Sequence, residues 1–133
     1  IEHNQYGVCA LNGGSRVVLR DCTANNNLRY GVASSDGGSV DASDCSLSEN
    51  KELGLGAWHT CSKVSLVRCK AERNGRTGVA CRMGSSVTAA DSSMCDNEQF
   101  GVYVSGEGSR VSLQGCASSS NSQYGVGASE GGA

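Results

Sequence analysis

The sequence predicts an all-β fold: a right-handed, single-stranded parallel β-helix of about five and a half coils, each 23–24 residues long with three short strands. Two periodic anchors and an apolar alternation lead there. A glycine recurs as Gly7, Gly31, Gly54, Gly78, Gly101 and Gly125, at spacings of 24, 23, 24, 23 and 24. A valine recurs as Val17, Val40, Val64, Val87 and Val111, always 14 residues before the next anchor glycine. Only the link from glycine to valine changes length, between 10 and 9 residues, as a surface loop would.

The first strand of each coil surrounds the glycine. Tyr6, Tyr30, Leu53, Thr77, Phe100 and Tyr124 precede it, and Val8, Val32, Leu55, Val79, Val102 and Val126 follow. Strict alternation puts both sets inward, leaving the glycine with Cys9, Ala33, Gly56, Ala80, Tyr103 and Gly127 on a flat outer face. A glycine-rich turn comes next, as in Asn12-Gly-Gly-Ser15 and Asp36-Gly-Gly-Ser39, with the residue types that positive φ demands. The second strand buries the anchor valine and, two residues on, Leu19, Ala42, Leu66, Ala89 and Leu113. The third carries Cys22, Cys45, Cys69, Ser92 and Cys116 inward, followed by Ala24, Leu47, Ala71, Met94 and Ser118.

The corner back to the next coil carries Asn27, Asn50, Asn74, Asn97 and Asn121. Stacked coils put equivalent residues about 4.8 Å apart, so these asparagines form a ladder. Each amide is expected to bond the neighbouring corner while its own backbone tolerates a left-handed turn.

Composition narrows the function. A net charge of −2 and a pI near 5.6 give no basic footprint for nucleic acid. No run approaches the eighteen or so apolar residues that would cross a bilayer, so no membrane partner is expected. Residues 1–133 read as one β-helix segment that starts at Ile1 in mid-pattern, with no initiating Met or signal-like start, and so as part of a longer chain. Eight cysteines without a C-x-x-C motif read as free thiols, and the inward slot of Cys22, Cys45 and Cys69 as small core filler. Together with the lack of an Asn-X-Ser/Thr sequon they point to an intracellular setting, with a secreted one as the alternative.

The pattern Asn-x-x-x-Gly-Val-x-Val, clearest at Asn97 to Val104, with a hydrophobic and Cys-rich second half, resembles the parallel β-helix repeats of the pectate-lyase-like superfamily. These include the carbohydrate-binding and sugar-hydrolase repeats of eukaryotic F-box proteins. The resemblance spans essentially the whole chain. It implies either a polysaccharide lyase or epimerase, in which clustered acids bind calcium and a Lys or Arg assists, or a non-enzymatic scaffold.

Candidate chemistry is sparse. Asp21 and Asp44, with Arg68 on the next coil, are the alternative for a metal; an exposed charge pair is the simpler account. Where other coils have a glycine-rich turn, the third has Ala57-Trp58-His59-Thr60-Cys61. Trp58 should lie above or below Ser35 and Arg82, giving a sugar platform or a cation–π pair. Trp58, Arg82 and Tyr103 are thus the binding candidates, and His59 and Glu52 the only nearby bases. Phosphate loops and zinc spacings are absent, so no cofactor is expected. Without Pro there is no Asp-Pro-His motif of the epimerase type, and four scattered Thr make no ice-binding row. The expected function is a non-catalytic module that binds a protein partner or neighbouring domains of its own chain; the alternative is a module acting on an acidic glycan.

Overall fold

The computed structural model describes residues 1–133 as eleven strands in two parallel sheets. Strands β1 (Tyr6–Leu11), β3 (Tyr30–Ser35), β5 (Leu53–Trp58), β7 (Thr77–Arg82), β9 (Phe100–Ser105) and β11 (Tyr124–Ser129) form a six-stranded sheet in that order. Strands β2 (Arg16–Arg20), β4 (Ser39–Ser43), β6 (Lys63–Val67), β8 (Ser86–Ala90) and β10 (Arg110–Gln114) form a five-stranded sheet. Every pairing joins equivalent positions of adjacent coils, Val17 to Val40 to Val64 for example. The result is a solenoid of about five turns.

The third strand contracts to one residue per coil: Thr23, Ser46, Lys70, Ser93 and Ala117 are joined by isolated parallel bridges. Corners with positive φ on both sides leave no room for more. Asp21, Asp44, Arg68, Asp91 and Gly115 occupy the first corner at φ between 49° and 61°. The second holds Asn26, Glu49, Arg73, Asp96 and Ser120 in the same region. The acids of the first corner therefore have a conformational reason to be there, since Asp adopts this region more readily than most side chains.

Inside, the core is thin and apolar. Val32, Leu55, Val79, Val102, Leu47, Leu66 and Met94 are fully buried in one continuous cluster along the axis. Each such side chain contributes about 1.5–3 kcal/mol of transfer free energy. Leu66 opposite Ala42 and Ala89 in neighbouring coils keeps the interior narrow.

The asparagine ladder is continuous. The Oδ1 of Asn50 accepts from both the backbone N–H and the Nδ2 of Asn27, at 2.9 and 3.0 Å. Asn74, Asn97 and Asn121 repeat the arrangement, and the first four rungs, Asn27 to Asn97, are buried. Contrary to expectation the ladder residues are not left-handed; the residue before each one is. The neighbour absorbs the bend, which frees the amide to point inward.

The anchor glycine corrects a second expectation. A Cβ on Gly31 would stand 2.6 Å from the Ala24 carbonyl and 2.8 Å from the Asn50 amide, so the position faces the ladder and admits no side chain. Gly31 and Val32 thus both face inward, the alternation slips by one, and Tyr30 is turned out instead of in. Tyr6, Phe100 and Tyr124 follow it and are half-buried or exposed.

The length alternation sits in the turn after the first strand. In the second, fourth and sixth coils two adjacent residues have positive φ: Asp36 and Gly37, Met83 and Gly84, Glu130 and Gly131. In the alternate coils one residue separates them: Asn12 and Gly14, His59 and Cys61, Gly106 and Gly108.

Candidate functional site

The slip at the anchor glycine fills the outer face of the six-stranded sheet with rings. Tyr6 and Tyr30, in register, pack with centroids 5.2 Å apart and ring planes tilted by 53°. Trp58 starts from the loop edge of β5, in register with Ser35, and its indole turns back across the strand over Gly56. No larger residue fits beneath it: a Cβ on Gly56 would collide with the six-membered ring. The indole packs on Tyr30 at 5.0 Å. Three rings, with Cys9, Ala33 and Ser35 as floor, wall a groove of about 310 Å³.

A second cluster lies further along. Phe100 meets Tyr103 at 4.8 Å and stacks on Tyr124 at 5.9 Å. Arg82 covers Tyr103, its guanidinium carbon 5.1 Å from the ring centroid. The cation–π partner of Arg82 is therefore Tyr103, not Trp58; the indole is drawn away by Tyr30. Trp58 and Arg82 instead face each other across a cleft of about 50 Å³ that Glu52, Arg76 and Gln99 also line. The Nε of Arg82 is buried there without a hydrogen-bond partner.

Charges fix the rings from the corner side. Arg29 donates to the hydroxyls of Tyr6 and Tyr30 at 2.6 and 3.0 Å and to Glu52 Oε1 at 3.0 Å. Glu52 also lies 3.9 Å from Arg76. Its two carboxylate oxygens are thus each turned to a guanidinium group, Oε1 to Arg29 and Oε2 to Arg76. Burial, and secondarily the negative Glu52, raise the Tyr30 hydroxyl above its ordinary pKa.

His59 is placed at the mouth of the groove with positive φ. Its Nδ1 is 2.9 Å from Asp36 Oδ1 and 3.0 Å from Ser35 Oγ, and Ser35 Oγ donates to Asp36 Oδ2 at 2.6 Å. Serine, histidine and aspartate are all present, but Ser and Asp contact the same ring nitrogen. A nucleophilic triad needs them on opposite nitrogens, so this set orients a loop and does not activate a hydroxyl. His59 and Glu52 lie on different sides of Trp58, in separate clefts.

The alternative metal corner is likewise committed. Arg68 Nε and Nη2 each lie 2.7 Å from one oxygen of Asp44, a bidentate pair that holds the Asp44 carboxyl below its ordinary pKa. Asp21 stands one coil away as a left-handed corner residue. No group of three His, Cys, Asp or Glu side chains is close enough to hold a metal ion. The calcium site that the pectate-lyase-like resemblance implies does not fit these residues. All eight cysteines are free, and Cys45 and Cys69 have pKa values raised by burial.

A family model described as right handed beta helix region matches residues 6–133. The chain belongs to the right-handed β-helix family. No curated protein and no solved structure matches it. For this β-helix, chemistry must therefore be read from its own faces. Of those, the outer face of the six-stranded sheet is the one that carries an aromatic groove. The sequence singles out Trp58, Arg82 and Tyr103, which all lie along this face, and does not single out Tyr6, Tyr30, Phe100 and Arg29 beside them. The available signal was the aromatic column beside the anchor glycine, misdirected by assuming unbroken alternation.

Proposed function

We propose that this β-helix is a non-catalytic interaction module that offers the ring-bearing face of its six-stranded sheet to a protein partner or to a neighbouring domain of its own chain. The observation that carries the reading is the Tyr6–Tyr30–Trp58 row of packed rings, with a second cluster at Arg82 on Tyr103 along the same face. Trp, Tyr and Arg are the side chains that dominate protein interfaces, and here they stand on a rigid sheet, so little ordering entropy opposes binding. The engagement of His59 by Asp36 and of Glu52 by Arg29 supports a binding role over a chemical one. The unpaired thiols support an intracellular setting. The test is parallel affinity capture with the natural chain and with a Trp58→Ala, Tyr30→Ala double variant of unchanged fold. A partner lost only with the variant supports the reading, and identical capture by both sinks it.

A second reading, an acidic-glycan module, draws on one observation: the indole of Trp58 borders a cleft with Arg76, Arg82 and Gln99. A sugar stacked on the ring would present its carboxylate to those guanidinium groups. Screening uronate and neutral glycans with and without calcium, against Trp58→Ala, separates the two: glycan binding abolished by the substitution favours this reading, and no binding removes it.

A further inference from the structure

The outer face of the five-stranded sheet carries a different pattern. Strict register places Arg16, Ser39, Lys63, Ser86 and Arg110 in one column along the rod. Cations alternate with serines, so a basic group recurs every second coil, about 9.6 Å apart from twice the interstrand spacing. Beside this column run Val18, Asp41, Ser65, Thr88 and Ser112, with a single acid. Lys63 and Arg110 are exposed and form no ion pair, whereas Arg16 is held by Asp41 at 2.7 Å with both side chains largely in water. The small hydroxyl residues leave a trough of about 470 Å³, bounded by Arg16, Asp41, Lys63, Ser86 and Thr88.

The repeat distance selects the occupant. An extended β-strand presents same-side residues about 6.8 Å apart and falls out of step by the second cation. A polyproline II segment has three residues per turn and a 3.1 Å rise, so same-side residues recur every ~9.3 Å. It matches the column within a few tenths of an ångström per step. Such a segment has no internal hydrogen bonds, and the hydroxyls of Ser39 and Ser86 stand between the cations to meet its backbone.

We propose that this trough, with the continuation of its column to Arg110 beyond Ser86, binds an acidic polyproline II peptide lying along the rod, with a carboxylate at every third residue facing Arg16, Lys63 and Arg110. Asp41 acts as an internal competitor that holds Arg16 until the peptide arrives. The site lies on another sheet from the rings and is independent of them.

The probe is a synthetic (Glu-Pro-Pro)₃ peptide titrated into the full chain and followed by chemical shifts, beside a strand-forming peptide with Glu at alternate positions and a polygalacturonate sample. Expected results are binding of the first peptide at least about tenfold tighter than the second, loss of at least about tenfold on Lys63→Glu, and tightening of a few-fold on Asp41→Asn. Affinity should also fall steeply between about 0.01 and about 0.15 M salt, as the Debye length drops from ~30 to ~8 Å, and Trp58→Ala should change nothing. Lys63→Gln, a neutral exposed change, guards against a folding artefact and should show an intermediate loss. Equal binding of both peptides, indifference to Lys63, or charge-dependent binding of the polysaccharide without the peptide would each overturn the proposal.

Discussion

The Trp58 indole lies on Gly56 of its own strand, with a ring where any β-carbon at that position would have to be. The single tryptophan and the absence of a side chain two residues earlier thus make one device. Gly56→Ala should lift the indole off the sheet while leaving the buried ladders intact. Its emission should shift to the red and its quenching by iodide should rise, with melting temperature lowered by only a few degrees. An unchanged spectrum would mean that the ring is held elsewhere.

Asn74 accepts from the backbone N–H and the Nδ2 of Asn50 and donates to Asn97, all without access to water. Asn74→Ala orphans the two donors of Asn50 at roughly 1–3 kcal/mol each. A loss of about 2–4 kcal/mol is expected, read from urea unfolding midpoints at constant slope. Asn121, half-buried at the last rung, should cost only about 1 kcal/mol on the same change, because water can replace the amide.

Cys61 takes a φ of 68° at a turn position where other coils use Gly14, Gly84 or Gly108. Left-handed backbone disfavours a side chain by about 1–2 kcal/mol, partly offset by the greater freedom of unfolded glycine. Cys61→Gly should therefore stabilise the chain by about 0.5–1 kcal/mol. Gly84→Ala should destabilise it, since φ is 78° and the new methyl would sit 2.9 Å from Thr60 Cγ2. Thermal melts of both variants check the opposite signs.

Burial raises the Cys45 and Cys69 thiols above their ordinary pKa of 9.0. The unfolded chain ionises first, so their contribution to stability is complete below about pH 9 and is lost as pH climbs toward the folded values. Tyr30, raised mainly by burial, acts in the same direction from its ordinary 10.0. Melting temperature should thus decline on the alkaline side of about pH 9. Cys45→Ala with Cys69→Ala should flatten that decline while lowering the plateau, and a slope unchanged by both substitutions would contradict the account.

Much of this was legible beforehand because a stacked repeat writes each structural role as one residue type at a fixed spacing. The anchor glycines, the inward valines and the asparagine rungs all follow from counting. Tyr30 did not, because two successive inward positions at Gly31 and Val32 break the alternation, and the closeness of the Ala24 carbonyl and the Asn50 amide to Gly31 explains why. The partner of Arg82 was also hidden. Register places it beside Trp58, but the choice between Trp58 and Tyr103 depends on which way the indole turns, and that is settled by Gly56 and Tyr30 together. At the first corner, the acids Asp21 and Asp44 have a backbone reason to be there, their positive φ, which spacing alone does not reveal.

The two alternating turns have a consequence for how this molecule can lengthen or shorten. Each coil differs from its neighbour by one residue at the turn, so the unit that restores every position is a pair of coils: 47 residues separate Val17 from Val64, and Val64 from Val111. Removing a single coil would bring two turns of the same kind into contact, whereas excising a pair would rejoin unlike turns with every ladder in phase. The rod counts in twos, and an insertion or deletion of two coils preserves that parity.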